Sequence, residues 1–317
     1  MKTVLLTAIG SASASAACAR LKAAGYRVAG VDIYPASWNA VAQDVDWFLQ
    51  APRASEGEAY VSFMLQTVRE RGVDYIVPLT DVEVDALCGR KAEFLALGAV
   101  VCTPDAEVAR HCRDKLRMSA TLRDARLCDV ISTYLPGDVP PALPYPRLLK
   151  PLHGRSSEGR AVAEDELAYR AALATRDDYI VQPFIPGDVW CVDTVRDAFG
   201  NAYALPRHEL LRTATGLGLT VDVRPGHALA TVCERIVSHV GLIGAVNIEF
   251  IENKGSFYFL EINPRFSGGV VFSCLAGDDM PINHLRAHAG EMIDPPGTVK
   301  GMTIARGYEA RITREDA

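Results

Sequence analysis

The sequence predicts an α/β N-terminal third followed by an α+β remainder, in a chain of 317 residues. Three observations carry that prediction. Apolar strand-like runs alternate with helical stretches through residues 1–112, the pattern of a parallel layer with right-handed crossovers. From residue 187 onward the pattern turns strand-rich. Between them, residues 113–186 hold a proline-rich stretch (136–146) and a segment dense in glycine, serine and charge (153–160). Apolar content of 49% and charged content of 23% are those of a folded chain. A chain this long divides into about two or three lobes.

The elements follow in order. Thr3–Ala8 reads as a strand, Ser13–Ala24 as a helix ended by Gly25, and Arg27–Asp32 as a second strand. The alternative is a secretory signal. Its apolar core would be short and broken by Thr7 and Gly10, with Lys2 as the only basic residue before it. A domain start in the cytoplasm is the expectation. A helix near Ala59–Arg71, a strand Tyr75–Leu79, a helix Val82–Leu97 and a strand Ala99–Cys102 continue the layer. Ligands of such sheets gather beyond the carboxyl ends of the strands. That singles out Ile9-Gly10-Ser11, Asp32, and Asp81 with Glu83, the last two as candidates to hold a substrate ammonium group. Gly10 and Asp32 also invite a dinucleotide reading, hence a nicotinamide oxidoreductase. The later glycines of that fingerprint are replaced by Ala12 and Ser15, so Gly10 reads as a structural turn.

Further on, Asp114-Lys115 opens a helix, Arg147–Pro151 is a strand, Glu164–Thr175 a helix and Tyr179–Gln182 a strand. Helices are expected near Ala228–Val240 and Pro281–Gly290. The net charge of −6, with no basic stripe, argues against a nucleic-acid partner. No apolar run is long enough to span a membrane. Eight cysteines without a C-x-x-C pair read as thiols of a reducing compartment. His284 and His288, with Glu291, have helical spacing, but two histidines four apart without a third placed ligand read as a polar helix face rather than a zinc site.

The stretch 257–269, Phe-Tyr-Phe-Leu-Glu-Ile-Asn-Pro-Arg-Phe-Ser-Gly-Gly, carries the most chemistry. Glu261, Asn263 and Arg265 alternate with apolar residues, so in a strand they share one face, opposite Leu260 and Ile262. Val246–Ile251 alternates in the same phase. A three-residue loop, Asn253-Lys254-Gly255, is expected to pair Glu252 with Ser256. That register sets Asn247 opposite Glu261 and Glu249 opposite Phe259, with Ile248, Phe250, Tyr258, Leu260 and Ile262 on the other face. A two-residue loop would divide the carboxylates between faces. Carboxylates, an amide oxygen and a guanidinium on one face are what a magnesium–triphosphate complex requires.

Asn247-Ile248-Glu249-Phe250, followed by Leu260-Glu261-Ile262-Asn263-Pro264-Arg265-Phe266-Ser267-Gly268-Gly269, resembles the metal-binding signature of ATP-grasp enzymes. The likeness is to the branch with the large subunit of carbamoyl-phosphate synthetase and the carboxylate–amine ligases. It implies a Rossmann-like pre-ATP-grasp domain at 1–112, a small ATP-grasp lobe with a glycine-rich lid at 113–186, and a large lobe at 187–317. Glu249, Glu261 and Asn263 then hold magnesium, two ions in the family pattern, with manganese as a substitute. Lys150 matches a strand lysine near the α-phosphate and adenine, and Lys115 an earlier basic residue; each is also readable as a surface lysine. Gly154, Ser156, Ser157 and Gly159 match the lid.

Tyr179–Gly187 matches the hinge that pairs with adenine. Pro183 lacks an N–H, so the Gln182 carbonyl and the Phe184 N–H are assigned the pairing. Val189 occupies the position of the family's ribose-binding glutamate; Asp188 is the neighbouring acid, on the opposite strand face. Arg207 and Arg212 match an arginine near the γ-phosphate or acyl phosphate, or are plain surface cations. Arg265 is the firmer catalytic candidate. The implied activity is an ATP- and magnesium-dependent ligase joining a small carboxylate and an amine, in the cytoplasm. A nucleotide-binding subunit of a split synthetase is the alternative. A homodimer is an assembly open to such lobes. The likeness covers one nucleotide-grasping half with no glutaminase signature, so carbamoyl phosphate synthesis itself is not expected.

Overall fold

The N-terminal strands lie in a parallel five-stranded sheet whose central strands are buried on both faces. The computed structural model describes residues 1–153 and 159–315. Strands β1 (Thr3–Leu6), β2 (Arg27–Asp32), β3 (Trp47–Gln50), β4 (Tyr75–Val77) and β5 (Val100–Val101) order as β3-β2-β1-β4-β5. The edge strand β3 has no counterpart in the sequence reading, since its Trp-Phe-Leu-Gln run is only half-buried. The expected helix Val82–Leu97 is broken instead into Asp81–Leu87 and Lys91–Leu95 by a 3-10 turn at Cys88–Arg90. Asp32 is spent on the first turn: its carboxylate accepts from the Gly10 N–H at 2.9 Å and the Tyr34 N–H at 3.0 Å. That is the structural use expected for Gly10.

Side chains alternate across this sheet. Leu5 faces a core with Tyr60, Met64 and Ile76. Val4 and Leu6 face Ala17 and Leu21, and that core continues into Phe266, Val270 and Leu285 from the far end of the chain. The N-terminal layer therefore shares one hydrophobic core with the C-terminal region and is held against it.

The middle of the chain contributes β6 (Asp129–Val130), β7 (Arg147–Pro151), β8 (Ala161–Ala163) and β9 (Tyr179–Pro183). The last three form a small antiparallel sheet, β8-β7-β9. β6 instead adds to the edge of the large sheet, and Met118 and Leu122 of the helix Lys115–Asp124 join that sheet's core. The unit expected over 113–186 is thus divided between two sheets.

The large sheet contains β10 (Asp188–Arg196), β11 (Ala202–Arg212), β12 (Gly218–Val223), β13 (Gly244–Asn253), β14 (Ser256–Asn263) and β15 (Met302–Ala305), in the order β15-β12-β11-β10-β13-β14-β6. One face buries Val192, Ile248, Phe250 and Phe259 against Cys233 and Ile236 of the helix Leu229–Val240. The other face is the polar one. Among the described residues, no helix is long and apolar enough to cross a membrane.

The β13–β14 hairpin corrects the expected register. Asn253 pairs with Ser256 across a two-residue turn, with Lys254 and Gly255 both at positive φ (52° and 82°). A β-bulge after Phe259 then shifts the pairing, so Glu249 lies opposite Glu261 and Asn247 opposite Asn263. The extra residue is Leu260. It lines the cleft rather than the core, and Phe259 takes the buried place, edge-to-face with Phe250 at 6.1 Å. The short turn alone would have split the carboxylates; the bulge restores them to one face.

Candidate active site

Two cavities meet on the polar face of the large sheet, and both are lined by Arg212, Glu249 and Glu261. The first, about 250 Å³, lies between the small and large sheets. Its walls include Ile131, Leu148, Val189, Ile251 and Leu260, with Lys115 and Lys150 also on the lining. Burial pushes Lys150 down to about 8 and lowers Lys115 as well, while the negative charge of Glu261 works in the opposite sense on both. Lys115 is 8% exposed and donates to the Leu152 carbonyl at 3.2 Å. It stands one residue inside a helix whose Asp114 cap accepts from the Arg117 N–H at 2.9 Å. The structure brings both lysines together with the carboxylates.

The hinge backbone runs along this cavity, but not with the expected groups. The Phe184 N–H donates to the Pro146 carbonyl at 3.0 Å. Hydrogen-bonded pairs alternate along an antiparallel ladder, so Gln182, opposite Leu148, spends its carbonyl there too. The Gln182 amide turns away and donates to Thr133 Oγ1 at 2.7 Å. The Pro183 carbonyl and the Ile185 N–H are left without partners among the described residues, and both residues line the cavity. The ladder is a tertiary fact, and Ile185 gave no signal in the sequence beyond its place in the hinge.

Asp188 is not in the cavity. Its side chain is 73% exposed and faces His208 Nε2 at 3.5 Å, because strand alternation turns Val189 inward. Gly159 is described and left-handed (φ 70°), with its carbonyl accepting from Tyr179 Oη at 2.7 Å. Gly154, Ser156 and Ser157 lie outside the described residues.

At the junction, Glu249 accepts from Arg212 at 3.1 Å, and Arg212 also donates to the Gly216 carbonyl at 2.7 Å. Burial pushes Glu249 up; Arg212 opposes this and the like charge of Glu261 reinforces it. Asn263 donates to Glu261 Oε1 at 3.1 Å.

The second cavity, about 460 Å³, is polar and reaches across to the N-terminal layer at Ser11, Ser13 and Thr80. Arg265 grips Asp81 with a two-pronged fork, Nε to Oδ1 at 3.0 Å and Nη2 to Oδ2 at 2.9 Å. Arg113 approaches the same carboxylate at 3.6 Å. Asp81 is therefore a partner of Arg265, which corrects its expected role toward an ammonium group. Glu83 does not reach the cavity at all. It accepts from Thr80 N and Oγ1 at 3.1 and 2.7 Å in a capping box, buried beside Tyr60.

Arg207 is 2% exposed, so the surface-cation reading fails for it. It pairs with Asp193 Oδ2 at 2.7 Å and Glu209 Oε1 at 3.0 Å, and donates to Ser267 Oγ at 3.0 Å. Gly269 makes room for it: a Cβ there would sit 2.6 Å from the guanidinium. Asp193, Glu209 and Ser267 were not legible as site residues, because nothing local marks them. His284 and His288 lie elsewhere. His284 Nδ1 accepts the Ala245 N–H at 2.8 Å, and burial holds this imidazole down to about 4.

A carboxylate pair, two lysines and the backbone of residues 183–187 thus line one cavity. Residues 175–310, less than half of the chain, match the family described as "ATP-grasp in the biosynthetic pathway with Ter operon". A carbamoyl phosphate synthase large chain from Agathobacter rectalis is 28% identical over 185 residues, covering 52% of this chain and 17% of that protein. A biotin carboxylase from Haemophilus influenzae is 26% identical over 196 residues, 54% of this chain and 42% of its own length. Among solved structures, biotin carboxylase from Campylobacter jejuni superposes with TM-score 0.75 at 19% identity, covering 94% of this chain and 73% of that one. An L-amino acid ligase from Bacillus licheniformis gives TM-score 0.70 at 17% identity, covering 91% and 74%. The chain is similar in sequence to ATP-grasp proteins over residues 175–310 and shares their fold over most of its length. It spans well under two thirds of the length of those two sequence relatives.

Proposed function

We propose that this chain is a magnesium- and ATP-dependent ligase that activates a small carboxylate as an acyl phosphate and passes the acyl group to an amine. The observation that carries the reading is the meeting of two unlike cavities at one carboxylate pair. A nucleotide in the first would lay its base along Pro183–Gly187, using the Pro183 carbonyl and the Ile185 N–H. Its phosphates would lie among Lys115, Lys150 and the carboxylates. An acceptor in the second cavity would reach the same point from the N-terminal side. Bringing the two reactants end to end removes much of the entropic barrier.

In this reaction a carboxylate oxygen attacks the γ-phosphorus and the bond to the β–γ bridging oxygen breaks, releasing ADP. The amine nitrogen then attacks the acyl carbon, phosphate leaves, and the nitrogen loses a proton. Glu249, Glu261 and Asn263 are the groups that would hold magnesium, two ions in the fullest arrangement, with manganese suited to the same oxygens. Their chemistry fits. Two opposed carboxylates in a site that already raises Glu249 favour a cation. Among the described residues, no cluster of three or more His, Cys, Asp or Glu forms an all-protein cage. A magnesium ion bound through one or two carboxylates and substrate phosphates needs none. Magnesium would neutralise phosphate charge. Lys115 and Lys150 add to that, Arg265 is held in place by Asp81, and Arg212 sits beside Glu249. The eight cysteines, all free thiols, suit a reducing cytoplasm.

Phosphate and ADP release from ATP and magnesium, screened over amino acids and small carboxylates with amines, tests the reading. Turnover with at least one pair, lost in Glu261→Gln, is expected. Equal behaviour of wild type and variant would sink it. ATP binding with turnover only beside a partner protein would favour the split-synthetase subunit, a reading to which Val189 in place of an acid lends some weight.

A further inference from the structure

The first cavity has a measurable middle. Gly187, just before β10, borders the hinge end, Cys191 lies opposite Glu249 at the carboxylate end, and Val189 stands midway. Each two-residue step along a strand is about 7 Å, the distance a sugar spans between base and first phosphate. Val189 pairs directly with Ile251, and the bulged Leu260 lines the same cavity. This floor is aliphatic.

The nearby acids are all directed elsewhere. Asp188 is on the opposite face, exposed beside His208. Glu252 accepts from Trp190 Nε1 at 2.8 Å on that far side. Glu209, across from Val189 on β11, gives Oε1 to Arg207, has Oε2 3.9 Å from Arg212, and lines the second cavity rather than the first. Among the described residues, the only carboxylates lining this cavity are Glu249 and Glu261, at its far end.

Resting on the nucleotide reading above, we infer that Val189 makes this site indifferent to the ribose hydroxyls, so that 2′-deoxy and 2′,3′-dideoxy ATP are accepted as readily as ATP. A pocket that hydrogen-bonds a hydroxyl rejects the analogue lacking it, because its own polar group is left unpaired; an aliphatic floor has nothing to leave unpaired.

Calorimetric titration of the full chain with ATP, 2′-deoxy-ATP and 2′,3′-dideoxy-ATP, each with magnesium, tests this. The three dissociation constants are expected to agree within about fivefold, the worth of one hydrogen bond. Either analogue weaker than ATP by more than that, with ATP itself bound, overturns the inference and leaves the nucleotide reading standing. Binding of none of the three overturns both. Val189→Glu supplies a second readout: the preference for ATP over 2′-deoxy-ATP should rise by more than about fivefold. An unchanged ratio in the folded variant would remove Val189 from the sugar's path. If that variant does not fold, the wild-type comparison decides alone.

Discussion

Arg212, Glu249 and Glu261 are common to two cavities whose walls differ in kind. The first is a largely aliphatic slot with two lysines and two hinge groups, the Pro183 carbonyl and the Ile185 N–H, that lack partners among the described residues. The second is polar, and its arginines are already committed: Arg207 to Asp193, Glu209 and Ser267, Arg265 to Asp81. On the proposed function, a flat base and a chain of phosphates would be recognised in the first cavity by shape, backbone and lysines whose burial lowers them. In the proposed function, an acceptor would meet a framework of buried ion pairs, which fixes geometry. The specificity of the second cavity therefore rests on its shape and on hydroxyls such as Ser11, Ser13 and Thr215.

The largest effect should come at the shared junction. Glu261→Gln is expected to lower phosphate release on the order of a thousandfold, by analogy with loss of a preorganised electrostatic group. Binding of the adenine moiety, measured with adenosine alone, should be unchanged. A parallel loss of adenosine binding would break the division into two cavities.

Next is Arg207→Met. Removing the cation of a buried ion cluster leaves Asp193 without its counter-charge and Glu209 with only Arg212 at 3.9 Å, and should cost about 3–5 kcal/mol in denaturant unfolding. Arg212→Met, at a partly exposed position, should cost about 1 kcal/mol in the same assay while abolishing turnover. Equal stability losses would mean the arginines are not divided between framework and chemistry.

Smaller still is the Arg265–Asp81 fork. A double-mutant cycle of Asp81→Asn and Arg265→Gln, read as stability, should give a coupling of about 2 kcal/mol. No coupling would show the fork to be dispensable to the second cavity.

The gentlest probe is pH. Lys150 is held near 8 in the folded chain, against about 10.4 when unfolded. Between those values the unfolded state binds more protons, so stability should rise with pH across that window. Nucleotide affinity should fall over the same range as the lysine loses its charge. Lys150→Met should flatten both trends; an unaltered affinity profile would take Lys150 off the phosphates.

The sequence alone determined much of this. Period-two alternation around Glu249 and Glu261 placed acids on strands, and alternating strands and helices before residue 112 dictated a parallel layer, because side-chain direction follows backbone period. Lys150 was legible from its strand end. Only the tertiary structure decided the rest. The bulge at Leu260, not the turn, put the carboxylates together. The ladder to Pro146 moved the free hinge groups by one residue, and packing between lobes delivered Asp81 to Arg265 across 184 positions of chain. Register, partner choice and burial depend on groups far apart in sequence, and local pattern carries no record of which of them will meet.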